Sequence, residues 1–204
     1  MIWRLGKLMA GLVLFGVGIW LGLQAHLGVG PWDVLAGGLA QHLGTPFGRT
    51  AIGVSVVVLV LGLVAGVRPG LGTALNVVVI GTVVDLLLAT PALDGLGEQP
   101  LPARLLGTVG GIASVAVGSA LYLGAHLGPG PRDGLMVAMV QRTGWPVGRC
   151  RALLELVVLV LGVALGGPVG VGTLAFALGI GPAVQVAFRV LRQTPAPRRR
   201  VQPA

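Results

Sequence analysis

Long apolar runs alternate along this chain with short breaks rich in glycine and proline, and the run lengths carry the first information. Leu8 to Leu27 gives about 30 Å of helix at 1.5 Å per residue, which matches the hydrocarbon thickness of a bilayer. Comparable runs follow at about Phe47 to Val67, Thr73 to Ala89, Leu105 to Leu127, Val147 to Gly166 and Thr173 to Phe188. Two further segments, Pro31 to about Leu43 and Pro131 to about Thr143, open with Pro at the first helical position and Asp two residues later. At roughly 20 Å each they are too short to span. In the first of them Asp33, Gly37 and Gln41 share one face, while Trp32, Leu35, Leu39 and Leu43 line the other. The pattern predicts an all-α, polytopic membrane protein with six spanning helices and two half-membrane helices.

The pattern occurs twice. Displacing the sequence by 100 positions against itself matches about 25 of the 63 positions from His26 to Leu88, with no gap. The pairs include Gly44/Gly144, Pro46/Pro146, Gly48/Gly148, Arg49/Arg149 and Thr73/Thr173. The expected organisation is a tandem duplication, with a first membrane repeat over 1–90, a linker over 91–103, a second repeat over 104–191 and a basic cytoplasmic tail over 192–204. The duplication also separates the basic, apolar N-terminus from a signal peptide, because the matching stretch lies in mid-chain. Glycines recur every four residues, at Gly62, Gly66 and Gly70 and at Gly162, Gly166 and Gly170, an interval that lets helix backbones approach closely in lipid.

Composition narrows the function classes. Of 204 residues 54% are hydrophobic and 10% charged, and the mean hydropathy is +0.93, so lipid must be the solvent for most of the surface. The net charge of +8 is a matter of membrane topology, since Arg4, Lys7, Arg189, Arg192, Arg198, Arg199 and Arg200 sit at the ends. With one Tyr and four Phe there is no stacking series, and nucleic acid is not an expected partner. Cys150 is the single cysteine, which rules out an internal disulfide or a multi-cysteine metal site. No catalytic triad, zinc motif or nucleotide-binding loop is visible, so neither an enzyme nor a cofactor or metal is expected.

Both termini are basic, which places both in the cytoplasm and makes the number of crossings even. Two arrangements satisfy that rule. With the short helices not crossing there are six spans and inverted halves, leaving only Arg49 and Arg104 outside; with them crossing there are eight spans and parallel halves, leaving only Arg68 and Arg132 outside. Charge does not separate the two, whereas helix length favours six. A half-length helix reached by an extended dip implies a cavity, because backbone that is not helical at membrane depth is tolerated only inside protein or beside water.

Ionisable groups within apolar spans cost about 2.5 to 3.5 kcal/mol on insertion scales and are candidates for function. Asp33 and Asp133 open the two short helices, where positive helix ends favour a carboxylate; capping alone explains such residues, but duplicated broken-helix ends are also how secondary transporters build sites. Because acid already occupies each positive end, such a site suits a cation, a proton or a neutral solute. Glu155 lies one turn after Arg151, where the first copy has Ser55, and serves either as an ion pair or as a protonatable group on a pathway. Arg49 and Arg149 are candidate partners of the aspartates or of lipid head groups. Thr73 and Thr173 close the Gly-x-Gly-Thr breaks, whose backbone N–H groups are candidates for binding an anion. Asp85 lies near a helix end and is expected at the membrane interface, as are His26 and His126.

At Leu27-Gly28-Val29-Gly30-Pro31-Trp32-Asp33 with Gly66 to Thr73, and at Leu127 to Leu135 with Gly170-Val171-Gly172-Thr173, the chain resembles the bacterial YczE family, related to the YitT group. The resemblance spans about residues 5 to 190. It implies a polytopic inner-membrane protein of a kind sometimes grouped with small-molecule exporters, and brings no functional residues with it. The expected function is a secondary transporter or permease of the cytoplasmic membrane for a small solute or drug-like compound. Asp33, Asp133 and Glu155, with Arg49, Arg149, Thr73 and Thr173, line its pathway in this reading. The alternative is a non-transporting scaffold or accessory subunit. The partners are the bilayer and a small-molecule or ion substrate, with a second copy of the chain also allowed.

Overall fold

The structure, a computed structural model, describes residues 1–192, with Val147 and Gly148 described by their backbone. The expected tail beyond Arg192 lies outside the described residues. The helices are α1 (Ile2–Gln24), α2 (Pro31–Leu43), α3 (Phe47–Val64), α4 (Leu71–Leu88), α5 (Leu101–Leu123), α6 (Pro131–Thr143), α7 (Val147–Ala164) and α8 (Val171–Val190), with a 3-10 turn at Leu96–Glu98 between α4 and α5. Five of them, α1, α3, α4, α5 and α8, are long and apolar enough to cross a membrane. Helix α7 is as long as α3, 18 residues, but carries Arg149, Arg151 and Glu155. The chain is an all-helical membrane protein.

Several helix ends fall short of their expected positions, for a local reason. Helix α1 ends at Gln24 rather than Leu27 because His26 takes a left-handed φ of 52°, and α5 ends at Leu123 because His126 does the same at 53°. Glycines at positive φ, Gly66 and Gly166, likewise stop α3 and α7 before Val67 and Gly166.

Helices α1 and α5 form the central pair and run in opposite directions. Arg4, at the start of α1, donates to the carbonyls of Ala125 and His126 beyond the end of α5 at 2.8 and 2.7 Å. Arg104, at the start of α5, donates to Ala25 and His26 at 3.0 and 2.8 Å. Each guanidinium thus satisfies carbonyls that the end of a helix leaves orphaned. The two backbones meet on glycine: a Cβ on Gly11 would lie 2.6 Å from the Tyr122 nitrogen, and one on Gly18 would lie 2.6 Å from the Gly111 carbonyl oxygen. Side chains of any size would force the helices apart, so these glycines set the closest approach. A Cβ on Gly62 or Gly66, by contrast, would meet nothing within 4 Å.

Around this pair α4 lies against α1 and α8 against α5, while α2 packs on α7 and α6 on α3. Each short helix therefore leans on a helix from the other half of the chain.

The loops that lead into the short helices are clasped by the opposite half. The Leu127 carbonyl accepts from Gly72 N–H at 2.7 Å, and the Leu27 carbonyl accepts from Gly172 N–H at 2.6 Å. The Thr73 hydroxyl donates to the Pro129 carbonyl at 2.6 Å and accepts from Gly70 N–H at 3.0 Å. Gly28 and Gly128, at φ of 97° and 123°, lie against Gly170 and Gly70, where added side chains would collide with backbone. In each Gly-x-Gly-Thr break the first glycine amide thus bonds the threonine hydroxyl and the second bonds the Leu127 or Leu27 carbonyl, so these amides are engaged within the chain.

Thr73→Val keeps the shape but strands the Pro129 carbonyl and the Gly70 N–H. It is expected to cost about 1 to 3 kcal/mol for each group left unsatisfied, read as a lower thermal midpoint of the purified protein.

Candidate solute cavity

Helices α2 and α6 begin where Gly30-Pro31 and Gly130-Pro131 end the two clasped loops. Proline at the first position needs no hydrogen-bond partner for its nitrogen and presets the helical φ, so each helix starts abruptly inside the protein. The two starts face each other. The Arg132 guanidinium carbon lies 5.1 Å from the centre of the Trp32 ring, and its Nη2 is 3.8 Å from Asp33 Oδ1. These residues occupy matched places in the duplicated sequence, Trp32 against Arg132 and Asp33 against Asp133.

Between the starts lies a cavity of about 150 Å³. Its carboxylates are Asp33, Asp133 and Glu155, and its cations are Arg132 and Arg151. Phe15, Trp32, Tyr122 and Phe176 supply aromatic wall, and Ser55, Asn76 and Ser119 supply neutral polar groups. Asp33 is 4% exposed. The Tyr122 hydroxyl, itself on a buried residue, donates to Asp133 Oδ2 at 2.9 Å. Arg151 Nε donates to Glu155 Oε1 at 2.9 Å, so the ion pair one turn apart and the place beside the cavity are both properties of Glu155.

Of the residues singled out from sequence, Asp33, Asp133 and Glu155 are brought together on this wall. Arg49, Arg149, Thr73 and Thr173 are not on it. Thr73 and Thr173 belong to the clasps, each accepting from the N–H of the preceding glycine, Gly70 or Gly170. Arg49 contributes its backbone: Asp85 accepts from Gly48 N–H at 2.6 Å and from Arg49 N–H at 3.0 Å. Asp85 is therefore a cap on α3 supplied by α4. Arg132, Tyr122 and Asn76 were not singled out from sequence. The signal for Arg132 was present as a cation replacing Trp32 at the matched position, whereas Tyr122 and Asn76 show themselves only once helices are packed.

The wall is closed on one side and parted on the other. Helices α3 and α4 pack directly, with Gly48 against the Gly81 backbone and Asp85 bridging them. Among the described residues α7 and α8 have no comparable packing, and a Cβ on Gly181 would meet nothing within 4 Å. Here the cavity reaches Arg151 and Glu155, whose side chains are 53% and 27% exposed.

Residues 2–189 match a family of unknown function, DUF6198. The chain is similar to an uncharacterized protein of Haemophilus influenzae, 37% identical over 191 residues that make up 92% of this chain and 84% of the relative. It is also similar to the uncharacterized membrane protein YczE of Bacillus subtilis, 33% identical over 172 residues, 83% of this chain and 78% of the relative. The uncharacterized protein YyaS of Bacillus subtilis is 27% identical over 165 residues, covering 80% of this chain and 82% of the relative. No solved structure matches the chain.

The hydrogen bond from Tyr122 to the Asp133 carboxyl should couple the two energetically. A double-mutant cycle with Tyr122→Phe and Asp133→Asn is expected to give about 0.5 to 3 kcal/mol of coupling in unfolding free energy. Additive single effects would mean that the bond carries no stability.

Proposed function

The chain belongs to the DUF6198 family, and for this membrane protein we propose a secondary transporter that carries a small solute through the central cavity by alternating access. The observation that carries this reading is the cavity itself. Charged side chains at two broken-helix starts meet in one chamber, sealed between α3 and α4 and parted between α7 and α8. A scaffold has no need of a chamber that holds five ionisable side chains inside apolar helices, each a cost to insertion.

In this reading the halves are inverted and the protein has six spans, with α2 and α6 as half-membrane helices. The opposed directions of α1 and α5 support it, since eight crossings with parallel halves require them to run alike. Arg4 and Lys7 share one end of the bundle with the last turn of α5, and Arg142 reaches the Val64 carbonyl at the end of α3. The rule for positive residues makes that end, and both termini, cytoplasmic in the inner membrane. The parted side of the cavity, next to Arg151 at the start of α7, then faces the cytoplasm. The state opened outward has α3 parted from α4 and α7 closed on α8. Asp33, Asp133 and Glu155 are the solute or proton sites, and an ion gradient or a separate partner drives the cycle. No catalytic role is assigned to any of these residues.

Two measurements test this. With Cys150 replaced by Ser, cysteines at Gly95 and Trp145 are expected to react with impermeant maleimide from opposite sides of the membrane; labelling from the same side would refute inverted halves. Proteoliposomes on a sensor membrane, challenged with small cations, neutral solutes and anions, are expected to give a transport current that Asp33→Asn and Asp133→Asn each reduce at least about tenfold, the loss expected when a transition-state contact worth about 1.4 kcal/mol is removed. No current from any class, or currents untouched by both variants, would leave the scaffold reading.

A further inference from the structure

Among the described residues the buried Asp33 carboxylate meets a single cation, Arg132, and meets it loosely. At 3.8 Å the pair is beyond direct hydrogen-bond length, and the Arg132 side chain is 36% exposed where that of Asp33 is 6%. The same guanidinium lies over the Trp32 ring at 5.1 Å. A flat, weakly hydrated organic cation thus already sits in this site, tethered to the protein by its own side chain.

The rest of the wall suits the same chemistry. Phe15, Tyr122 and Phe176 line the cavity with Trp32, so four of the chain's nine aromatic residues gather here. Aromatic faces hold cations that part readily with water, guanidinium and quaternary ammonium among them, and hold strongly hydrated ions poorly. The second acidic side chain, Asp133, accepts from the Tyr122 hydroxyl through Oδ2 and lines the same cavity. A cavity of about 150 Å³ is the size that admits benzene in an unrelated protein, so the ligand has on the order of six heavy atoms.

We infer that the cavity takes a small organic cation, and that Arg132 is its built-in competitor, held on Asp33 and Trp32 until the ligand displaces it. The inference rests on the cavity being the transport site and adds the class of solute. Exchange of one cation for another also keeps Asp33 from standing buried and unpaired at any stage, the condition that is strongly destabilising for a buried charge. In the matched position of the first half the chain has Trp32, so the two copies have divided the site between them, one giving the aromatic face and the other the occupying charge.

Calorimetric titration of the whole protein in nanodiscs of zwitterionic lipid, with tetramethylammonium chloride against sodium chloride at equal ionic strength, tests this directly. Arg132→Gln is expected to bind tetramethylammonium about tenfold more tightly than the parent, since the competitor is gone. Adding Asp33→Asn or Trp32→Leu to that variant is expected to undo the gain, with unchanged elution profiles to show that the fold is intact. Arg132→Lys, which keeps the charge on a strongly hydrated head, is expected to fall between parent and Gln. Equal binding by parent and Arg132→Gln, or equal heats from sodium and tetramethylammonium, would overturn the inference. Binding as expected with no transport current would overturn the transporter reading and leave the ligand class standing; currents from neutral solutes or anions with no tetramethylammonium binding would do the reverse.

Discussion

Backbone that stops being helical within the interior of a membrane protein must find partners in the chain itself, and the carbonyls of Leu27 and Leu127 are where this chain meets that demand. Each belongs to a loop that has left its helix at a left-handed histidine and has not yet reached the proline that starts the next. Each is met by an amide at the start of a helix from the other half, Gly172 for Leu27 and Gly72 for Leu127. The helix start needs an acceptor as much as the loop needs a donor, so one bond relieves two orphan groups. Glycine on both sides follows from the distance: the Gly28 and Gly170 backbones are close enough that a Cβ on either would strike the other strand of chain. Neither half can satisfy its own loop, and this is why the two halves make one cavity.

From the clasps the rest is placed in turn. They fix where α2 and α6 begin, and those starts fix the positions of Asp33, Trp32, Arg132 and Asp133. The short helices then lean outward on α7 and α3, which ties each cavity wall to a helix of the opposite half. The differences between the matched sequences fall on this framework with some regularity. Asp85 seals α3 to α4 by capping it, whereas the matched residue is Gln185 and α7 stands away from α8. Ser55 faces the cavity where the second half has Glu155. The framework the matched sequences share is made of glycine and backbone with the Asp33/Asp133 pair, and the differences at the cavity include Trp32 against Arg132 and Ser55 against Glu155.

Much of this was legible in the residues alone. Run lengths marked the long helices, five of them long and apolar enough to cross a membrane, and the two short ones, and Pro-x-Asp marked where the short ones start; both aspartates do line a common cavity. What could not be read was mutual contact. The pairing of α1 with α5 rests on Gly11, Gly18, Gly111 and Gly118, which lie outside the best-matched part of the duplication and are spaced by seven rather than four. Gly62 and Gly162 are matched in sequence, yet a Cβ on Gly62 would meet nothing within 4 Å while one on Gly162 would lie 2.6 Å from the Leu35 nitrogen, because periodicity states which residues share a helix face and leaves open what that face meets. Thr73 looked like a ligand-binding residue for the same reason: an amide-rich helix start attracts any acceptor, and here the acceptor is another part of the chain.

Under the proposed alternating access, the clasps also bear on which elements move. Their bonds, at 2.6 and 2.7 Å, join the starts of α4 and α8 to the loops before α6 and α2, so the clasped elements form one body across the two halves. The contact between α3 and α4 is of another kind: it consists of a glycine crossing and one capping carboxylate near a helix end. Losing it strands the amides of Gly48 and Arg49, and the second of these is on an exposed residue where water lowers the cost. Motion is therefore expected at α3 and α7, each carrying the short helix packed on it, while α1, α4, α5 and α8 stay fixed by their glycine seams and clasps. Since α2 packs on α7 and α6 on α3, parting either long helix is expected to tilt the short helix packed on it about its clasped start, which couples the seal on one side to the wall of the cavity.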